Sequence, residues 1–486
     1  MKGGGITLTI AQLIKDIQHR SFTGNPSAEV CGVTRDTREV KQGSVFVCIR
    51  GAHIDGHDLA AQAVEAGAAL VIAERETGSG AAELLVEDTK QALAEAACTY
   101  YGHPSRTLKV IGVTGTNGKT TISHLLKSIL EMAEKKVGLI GTDAIIIGDK
   151  EIPAERTTPE ANRLQEYFHT MLQEGMEYCV MEVSSHALDL KRVYGTQFAL
   201  GIFTNLTHEH LDFHGTMENY AAAKAKLFSC CKVGIGNADD AYNDIVTANA
   251  QQRYTYSIEK KSDFQAEDIH LSQRGTVFRV KGKMNGEIKV GLPGRFNVYN
   301  ALAAALGALQ LGIGPEAVQR GLIISRGAKG RAEMLPVSAP FRVMVDYAHT
   351  PDGLYNILTT VREFAQKRVI TVFGSPGDRD REKRAPMGEI VGKWSDYCVV
   401  TADNPASERA EDICKEIEKG VMQSGCDYQV IIDRKEAIYH ALEIAKEGDV
   451  VLLAGKGHET YQIVGTEKVP FCEAEIVKAY VQQHLT

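Results

Sequence analysis

Short apolar runs recur along this chain, and most of them end in loops rich in glycine and chemically active side chains. Continuous rather than alternating hydrophobicity marks strands buried on both faces, as in parallel sheets covered by helices. Residues 44–49 and 69–73 read as two such strands, with a helix at 60–66 between them. A further helix near 91–101 stops at Gly102-His103-Pro104, a breaker sequence that marks a domain boundary. From 106 to 335, apolar runs at 108–112, 178–181 and 200–203 each feed a polar loop. Short alternating segments at 252–292 predict an antiparallel insertion, and the alanine-rich stretch 297–311 predicts a helix. The pattern restarts near 336, with runs at 342–345, 369–373, 398–400 and 450–453. The expectation is an α/β protein of three domains, 1–105, 106–335 and 336–486. In open parallel sheets of this kind, ligands bind beyond the carboxyl ends of the strands.

Composition narrows the function classes. At 486 residues the chain can build several cores. Its 44% hydrophobic and 24% charged residues fit a soluble globular protein, and a net charge of −8 argues against a broad nucleic-acid surface. The ten cysteines are scattered without a C-x-x-C pair, so reduced thiols and a cytoplasmic location are expected. The apolar run at 6–10 is too short for a signal peptide or a membrane span, and no later segment is long enough, so no membrane insertion is expected.

The most informative loop is Gly115-Thr116-Asn117-Gly118-Lys119-Thr120-Thr121, set between the 108–112 run and a helical pattern from Ile122. Strand, glycine-rich turn and helix make a phosphate cradle. Backbone N–H groups face phosphate oxygens, Lys119 adds a positive charge, and Thr120 can ligate Mg²⁺. A strict P-loop has glycine where this chain has Val113, so the stretch reads as a P-loop variant. Glu182, at the tip of the 178–181 run, suits an Mg²⁺ ligand, and Ser184, Ser185 and His186 are equally placed for a substrate. His208, His210 and His214 fall close together, but the usual partner ligands of zinc are missing; one histidine joining Glu182 at Mg²⁺ fits better. Lys224, in Tyr220-Ala221-Ala222-Ala223-Lys224, reads on its own as a solvated helix lysine.

The Gly115–Thr121 loop, Glu182-Val183-Ser184-Ser185-His186, Asn205-Leu206-Thr207-His208-Glu209-His210 and Asp346-Tyr347-Ala348-His349-Thr350-Pro351 occur in that order. Together they resemble the Mur ligases of peptidoglycan synthesis, and most of all the branch that adds the third amino acid. The resemblance covers nearly the whole chain. It implies an N-terminal UDP-binding domain, a central P-loop ATPase-like domain and a C-terminal Rossmann-like domain that binds the amino acid. The implied reaction is ATP-driven amide formation. The side-chain carboxylate of D-Glu in UDP-N-acetylmuramoyl-L-alanyl-D-glutamate becomes an acyl phosphate, which a free amino acid attacks.

The resemblance also implies residue roles. Gly115, Thr116, Asn117, Gly118, Lys119, Thr120 and Thr121 would hold ATP, with Asn297, Asn300, Arg331, Asp346 and His349 as further nucleotide contacts. Thr37, in Asp36-Thr37-Arg38, together with Thr157, Thr158, Ser184 and Arg192, would contact the UDP-sugar peptide. Lys119, Glu182, His210 and Lys224 would carry catalysis. Lys224 would be carbamylated, and with Thr120, Glu182 and His210 it would hold or position Mg²⁺. Arg379, Asp403, Asn404, Pro405, Ala406, Gly455 and Glu459 would form the amino-acid pocket. Here the chain departs from its family: ligases for meso-diaminopimelate read Asp-Asn-Pro-Arg where this chain has Asp403-Asn404-Pro405-Ala406. The missing arginine would make a forked bond to a distal carboxylate. With Glu459 left to take a distal amine, the expectation is L-lysine. Alternatives are a related ligase acting on another acid, or a nucleotide-binding paralogue without activity.

Overall fold

The apolar runs become strands in a computed structural model that describes residues 6–51, 54–272, 275–325 and 327–485. Met1–Gly5, whose glycines open the chain, lie outside them. The chain divides into two compact units, Met1–Lys119 with Ala133–Thr255, and Thr120–Met132 with Tyr256–Thr486.

The first unit carries two larger sheets besides the short Leu8–Thr9 and Glu29–Val30 pair. A five-stranded sheet near the N-terminus has the order Ser21–Thr23, Ala82–Leu85, Leu70–Ala73, Val45–Val47, Val33–Thr34. Its helix Thr89–Tyr100 is capped by Asp88, whose carboxylate accepts from the N–H groups of Lys90 and Gln91, and buries the alanine-rich face at Ala92, Ala96 and Ala97. The second sheet begins with the order Lys150–Pro153, Ala144–Ile147, Val137–Ile140, Tyr178–Glu182, Lys109–Thr114, Phe198–Phe203, Cys231–Asn237, and continues through Gln252–Ser257 into the strands that follow. From Val137–Ile140 to Cys231–Asn237 the pairing is parallel. Register decides where the chemistry emerges. Glu182 pairs with Val113 and Phe203 with Thr114, so the polar loops after these three strands leave one edge side by side. Below that edge lie Met181, Phe198, Phe203 and Phe228, all buried.

The second unit holds a six-stranded sheet in the order Glu333–Met334, Arg342–Asp346, Val450–Ala454, Val369–Phe373, Tyr397–Val400, Asp427–Val430. All but the first strand run parallel. Ala454 pairs with both Asp346 and Phe373, and Phe373 with Val400, so four loops again leave one edge. The expected antiparallel insertion is present as Phe264–Ser272, Gly275–Gly282 and Gly286–Val290, although Tyr256 and Ser257 join it in parallel. The alanine-rich helix spans Arg295–Gln310 and is buried nearly all round. Thr120–Met132, the body of the helix that follows the glycine-rich loop, buries Ile122, Leu125, Leu126, Ile129 and Leu130, one face of a 3.6-residue period. No helix among the described residues is long and apolar enough to cross a membrane.

Candidate active site

The glycine-rich loop is shaped by the strand beside it. Val113, where a strict P-loop has glycine, is still inside the sheet, paired with Glu182 and Ile202. The turn therefore begins only at Gly115, whose φ is +150° and whose missing side chain makes room for Thr204: a Cβ there would lie 1.8 Å from Thr204 Oγ1. Thr204 Oγ1 donates to the Asn117 carbonyl (2.6 Å), and the Asn117 N–H donates to Asn205 Oδ1 (2.9 Å). The Thr116 N–H donates to the Asn205 carbonyl (2.9 Å), and the Thr207 N–H to Thr116 Oγ1 (3.0 Å). Lys119 folds back over the loop, its ammonium donating to the carbonyls of Gly115 (2.9 Å) and Thr116 (2.7 Å). The result is a preformed cradle with a cation at its rim, suited to an anionic phosphate chain.

Glu182 is buried, with 1% of its surface exposed, and makes no ion pair among the described residues. Its oxygens accept instead from Thr142, through the N–H (2.8 Å) and the hydroxyl (3.2 Å). A buried carboxylate without a cation of its own fits a hard divalent ion. Thr142 Oγ1 also lies within hydrogen-bonding distance of Thr157 Oγ1 (3.1 Å). Thr158 Oγ1 donates to the Glu182 carbonyl (2.9 Å) and accepts from the Ser184 N–H (3.1 Å). Arg192 reaches the Thr158 carbonyl (3.4 Å) and pairs with Glu160 (3.1 Å), which Arg35 of the N-terminal sheet region also grips (3.0 Å). Burial is the main influence on Arg192 and lowers its pKa, and its Nε is buried without a partner, a donor left for a ligand. Thr157, Thr158, Ser184 and Arg192 are thus gathered on one hydrogen-bonded path that ends at Glu182. Thr37 sits apart, at the start of the Thr37–Glu39 turn capped by Asp36.

Lys224 overturns its reading as a solvated helix lysine. It is 1% exposed, and its ammonium lies 4.4 Å from the centre of the Tyr220 ring with no ion pair among the described residues. The Met217–Phe228 helix that carries it turns this face inward because Tyr220, Ala221, Leu227 and Phe228 share the burial. Desolvation, reinforced by the charge of Lys119, drives its pKa well down and favours the neutral amine. His210, at φ +57°, packs edge-on to His186 (4.9 Å between ring centres), and His214 stacks on Tyr220 (5.0 Å). His208 is exposed, and among the described residues no three His, Cys, Asp or Glu side chains are grouped to hold a metal.

In the second unit, Asp346 accepts from the N–H groups of Ala332 (2.7 Å) and Ala348 (2.8 Å), while Arg331 lies over the Tyr347 ring (4.5 Å). His349 Nδ1 is 2.7 Å from the Tyr347 carbonyl; burial lowers the pKa of this imidazole and raises that of the Asp346 carboxyl. Asn297 and Asn300 are buried one helical turn apart and bonded to each other (2.9 Å). The three loops expected to bind the amino acid do meet. Gly377 N–H donates to the Asn404 carbonyl (2.8 Å), and Asn404 Nδ2 donates to Glu459 Oε2 (2.9 Å). Gly455, at φ +119°, lies against Asp403, where a Cβ would meet Oδ2 at 2.5 Å. Ala406, at φ +50°, donates its N–H to the Ile463 carbonyl and accepts from the Gly465 N–H. Arg379 is exposed and makes no ion pair among the described residues, whereas Arg409 points to Glu411 (3.7 Å). Thr142, Tyr220 and Lys456 escape the sequence reading. Lys456 alone had a visible signal, the Gly455-Lys456-Gly457-His458-Glu459 loop after an apolar strand.

Known proteins resemble the chain from end to end. Models described as "Mur ligase family, catalytic domain", "Mur ligase middle domain" and "Mur ligase, glutamate ligase domain" match residues 29–101, 113–308 and 330–457. A UDP-N-acetylmuramoyl-L-alanyl-D-glutamate--2,6-diaminopimelate ligase of Clostridium acetobutylicum is 44% identical over 98% of this chain and 100% of its own length. One from Syntrophomonas wolfei is 45% identical over 96% and 98%. A solved structure of such a ligase superposes with a TM-score of 0.73 at 32% identity, covering 99% of this chain and 100% of that one. The cradle geometry yields a direct expectation: Lys119→Ala removes the cation at its rim, so nucleotide-dependent phosphate release falls at least about a hundredfold. Near-normal release by that variant contradicts the cradle.

Proposed function

Because the chain belongs to the Mur ligase family, a group of ATP-dependent ligases, we propose that it joins 2,6-diaminopimelate to UDP-N-acetylmuramoyl-L-alanyl-D-glutamate, extending a peptidoglycan precursor. The observation that carries this reading is that relatives matched over their full length are named for this reaction. In this reading residues 1–105 serve the UDP-sugar, 106–335 the ATP and 336–486 the amino acid.

The relatives point to 2,6-diaminopimelate rather than to the L-lysine expected from Ala406 and Glu459. The pocket is built by several loops, and position 406 is only one place from which a cation can reach a second carboxylate. Arg379 offers an unpaired guanidinium on the neighbouring loop, a suitable partner for a carboxylate. Glu459 and Asn404 face the amine side of the acceptor.

The chain's residues then divide the work. The 115–121 loop and Lys119 bind and neutralise the phosphates, with Asn297, Asn300, Arg331, Asp346 and His349 as the remaining nucleotide contacts. Thr37, Thr157, Thr158, Ser184 and Arg192 hold the UDP-sugar peptide. The D-Glu carboxylate attacks the γ-phosphorus, ADP leaves, and the acceptor amine attacks the acyl phosphate and expels inorganic phosphate. No protein nucleophile is needed; positioning supplies the rate. Thr120, Glu182, His210 and a carbamylated Lys224 are the residues that would hold Mg²⁺, which supplies charge neutralisation at the phosphate oxygens when bound.

Lys224 suits carbamylation because its amine is buried and driven toward neutrality. The neutral amine adds to carbon dioxide, forming an N–C bond and releasing one proton, so the neutral amine becomes an anion. Lys224→Ala should therefore lose at least about 99% of activity and recover part of it with a short carboxylic acid such as acetate; full activity without acetate contradicts the carbamate. The substrate reading is tested by offering UDP-N-acetylmuramoyl-L-Ala-D-Glu and ATP with a panel of amino acids. Phosphate release should be fastest with meso-diaminopimelate, and a strong preference for L-lysine overturns the assignment.

A further inference from the structure

Beneath the amino-acid loops lies a group of buried charges that the reaction as described does not use. Lys456 is 0% exposed, follows the Val450–Ala454 strand after a single glycine, and points its ammonium at Asn404 Oδ1 (2.7 Å) and Glu459 Oε2 (2.5 Å). Asp403 stands 4.0 Å away and is 3% exposed, with Oδ2 buried and unpartnered. Asn404 is oriented by this contact. With Oδ1 taken by Lys456 and by the Ile463 N–H (3.0 Å), Nδ2 is left to donate to Glu459 Oε2 (2.9 Å). Glu459 Oε1 keeps only a long contact from the Tyr347 hydroxyl (3.5 Å).

A flexible lysine held with no exposed surface makes a fixed point charge, and burying it has a cost that only good partners offset. Here it does two things at once. It ties its own loop to the 403–404 loop through side chains, and it neutralises one of two nearby carboxylates. Asp403, Lys456 and Glu459 sum to one negative charge, which matches a single ammonium group. Without Lys456 the same pocket would hold two uncompensated carboxylates, and Asn404 would keep only the Ile463 N–H of the two donors that fix its Oδ1.

We propose that Lys456 is a positioning and specificity-determining residue: it holds Asn404 and Glu459 in the orientation that receives the acceptor's amine and sets the pocket's charge for one cation. It acts through these two side chains and, being wholly buried, does not touch the amino acid. The inference rests on the reading of these loops as the amino-acid site.

The test is a double-mutant cycle in the full-length chain, with Lys456→Met, Glu459→Gln and the pair, using meso-diaminopimelate as acceptor. Lys456→Met should raise the KM for meso-diaminopimelate at least tenfold and leave the KM for ATP within twofold. Added to Glu459→Gln, it should change the acceptor KM by clearly less than it does alone, because one of its two routes of action is already cut. Lys456→Gln, which keeps a donor toward Asn404, should fall between wild type and Lys456→Met. An unchanged acceptor KM in Lys456→Met, an equal rise in the KM for ATP, or effects that multiply in the pair overturn the inference while leaving the site assignment intact. An unchanged acceptor KM in Glu459→Gln overturns the site assignment and this inference with it. If the Lys456 variants do not fold, a structure of the wild-type chain with meso-diaminopimelate bound decides. The ammonium should remain within hydrogen-bonding distance of Asn404 Oδ1 and Glu459 Oε2, and its departure from either overturns the role.

Discussion

The first unit depends on one close approach: Thr204 packs where Gly115 has no side chain. That contact lets the loop after one strand lie directly on the loop after its neighbour. The Asn117 carbonyl, the Asn117 N–H and the Thr116 N–H all find partners on Thr204 and Asn205. A loop that must present N–H groups to phosphate cannot also leave its remaining polar groups unsatisfied in a buried position. The neighbouring strand satisfies them, so the cradle is rigid before any ligand arrives. Rigidity of this kind keeps binding energy from being spent on ordering the loop.

The same economy of shared partners extends away from the cradle. Thr142 ties Glu182 to Thr157, and Thr158 ties the Glu182 backbone to Ser184, so a candidate metal ligand and the candidate sugar-peptide contacts form one network. In the second unit Lys456 plays the corresponding part for Asn404 and Glu459. In both places a residue with no expected role in chemistry fixes the orientation of those that have one. Such supporting contacts decide whether a polar site is tight enough to work.

Much of this was legible in the sequence, and the limits have physical causes. Buried parallel strands show as continuous apolar runs, so 69–73, 178–181, 200–203 and 369–373 were readable, with ends displaced by a residue or so. The loops after them carry the chemistry because the fold places all of them at one edge. Lys224 was not readable from its own helix: alanines at 221–223 leave the buried face undefined, and only packing against Tyr220 and Phe228 sets it. Thr142 gave no signal because its role lies in two hydrogen bonds to a residue forty positions away. Ala406 does not decide the acceptor, for the opposite reason. One substitution in a known motif was given the weight of a whole pocket, although several loops supply that pocket's charges.

In the proposed reaction, ATP energy passes to the D-Glu carboxylate as an acyl phosphate before any amide forms. The most direct measurement uses UDP-N-acetylmuramoyl-L-Ala-D-Glu labelled with oxygen-18 in that carboxylate, with ATP and meso-diaminopimelate, and reads the released phosphate by mass spectrometry. The account predicts one labelled oxygen in each phosphate released, because the carboxylate oxygen that attacks phosphorus leaves with it. Unlabelled phosphate would contradict it.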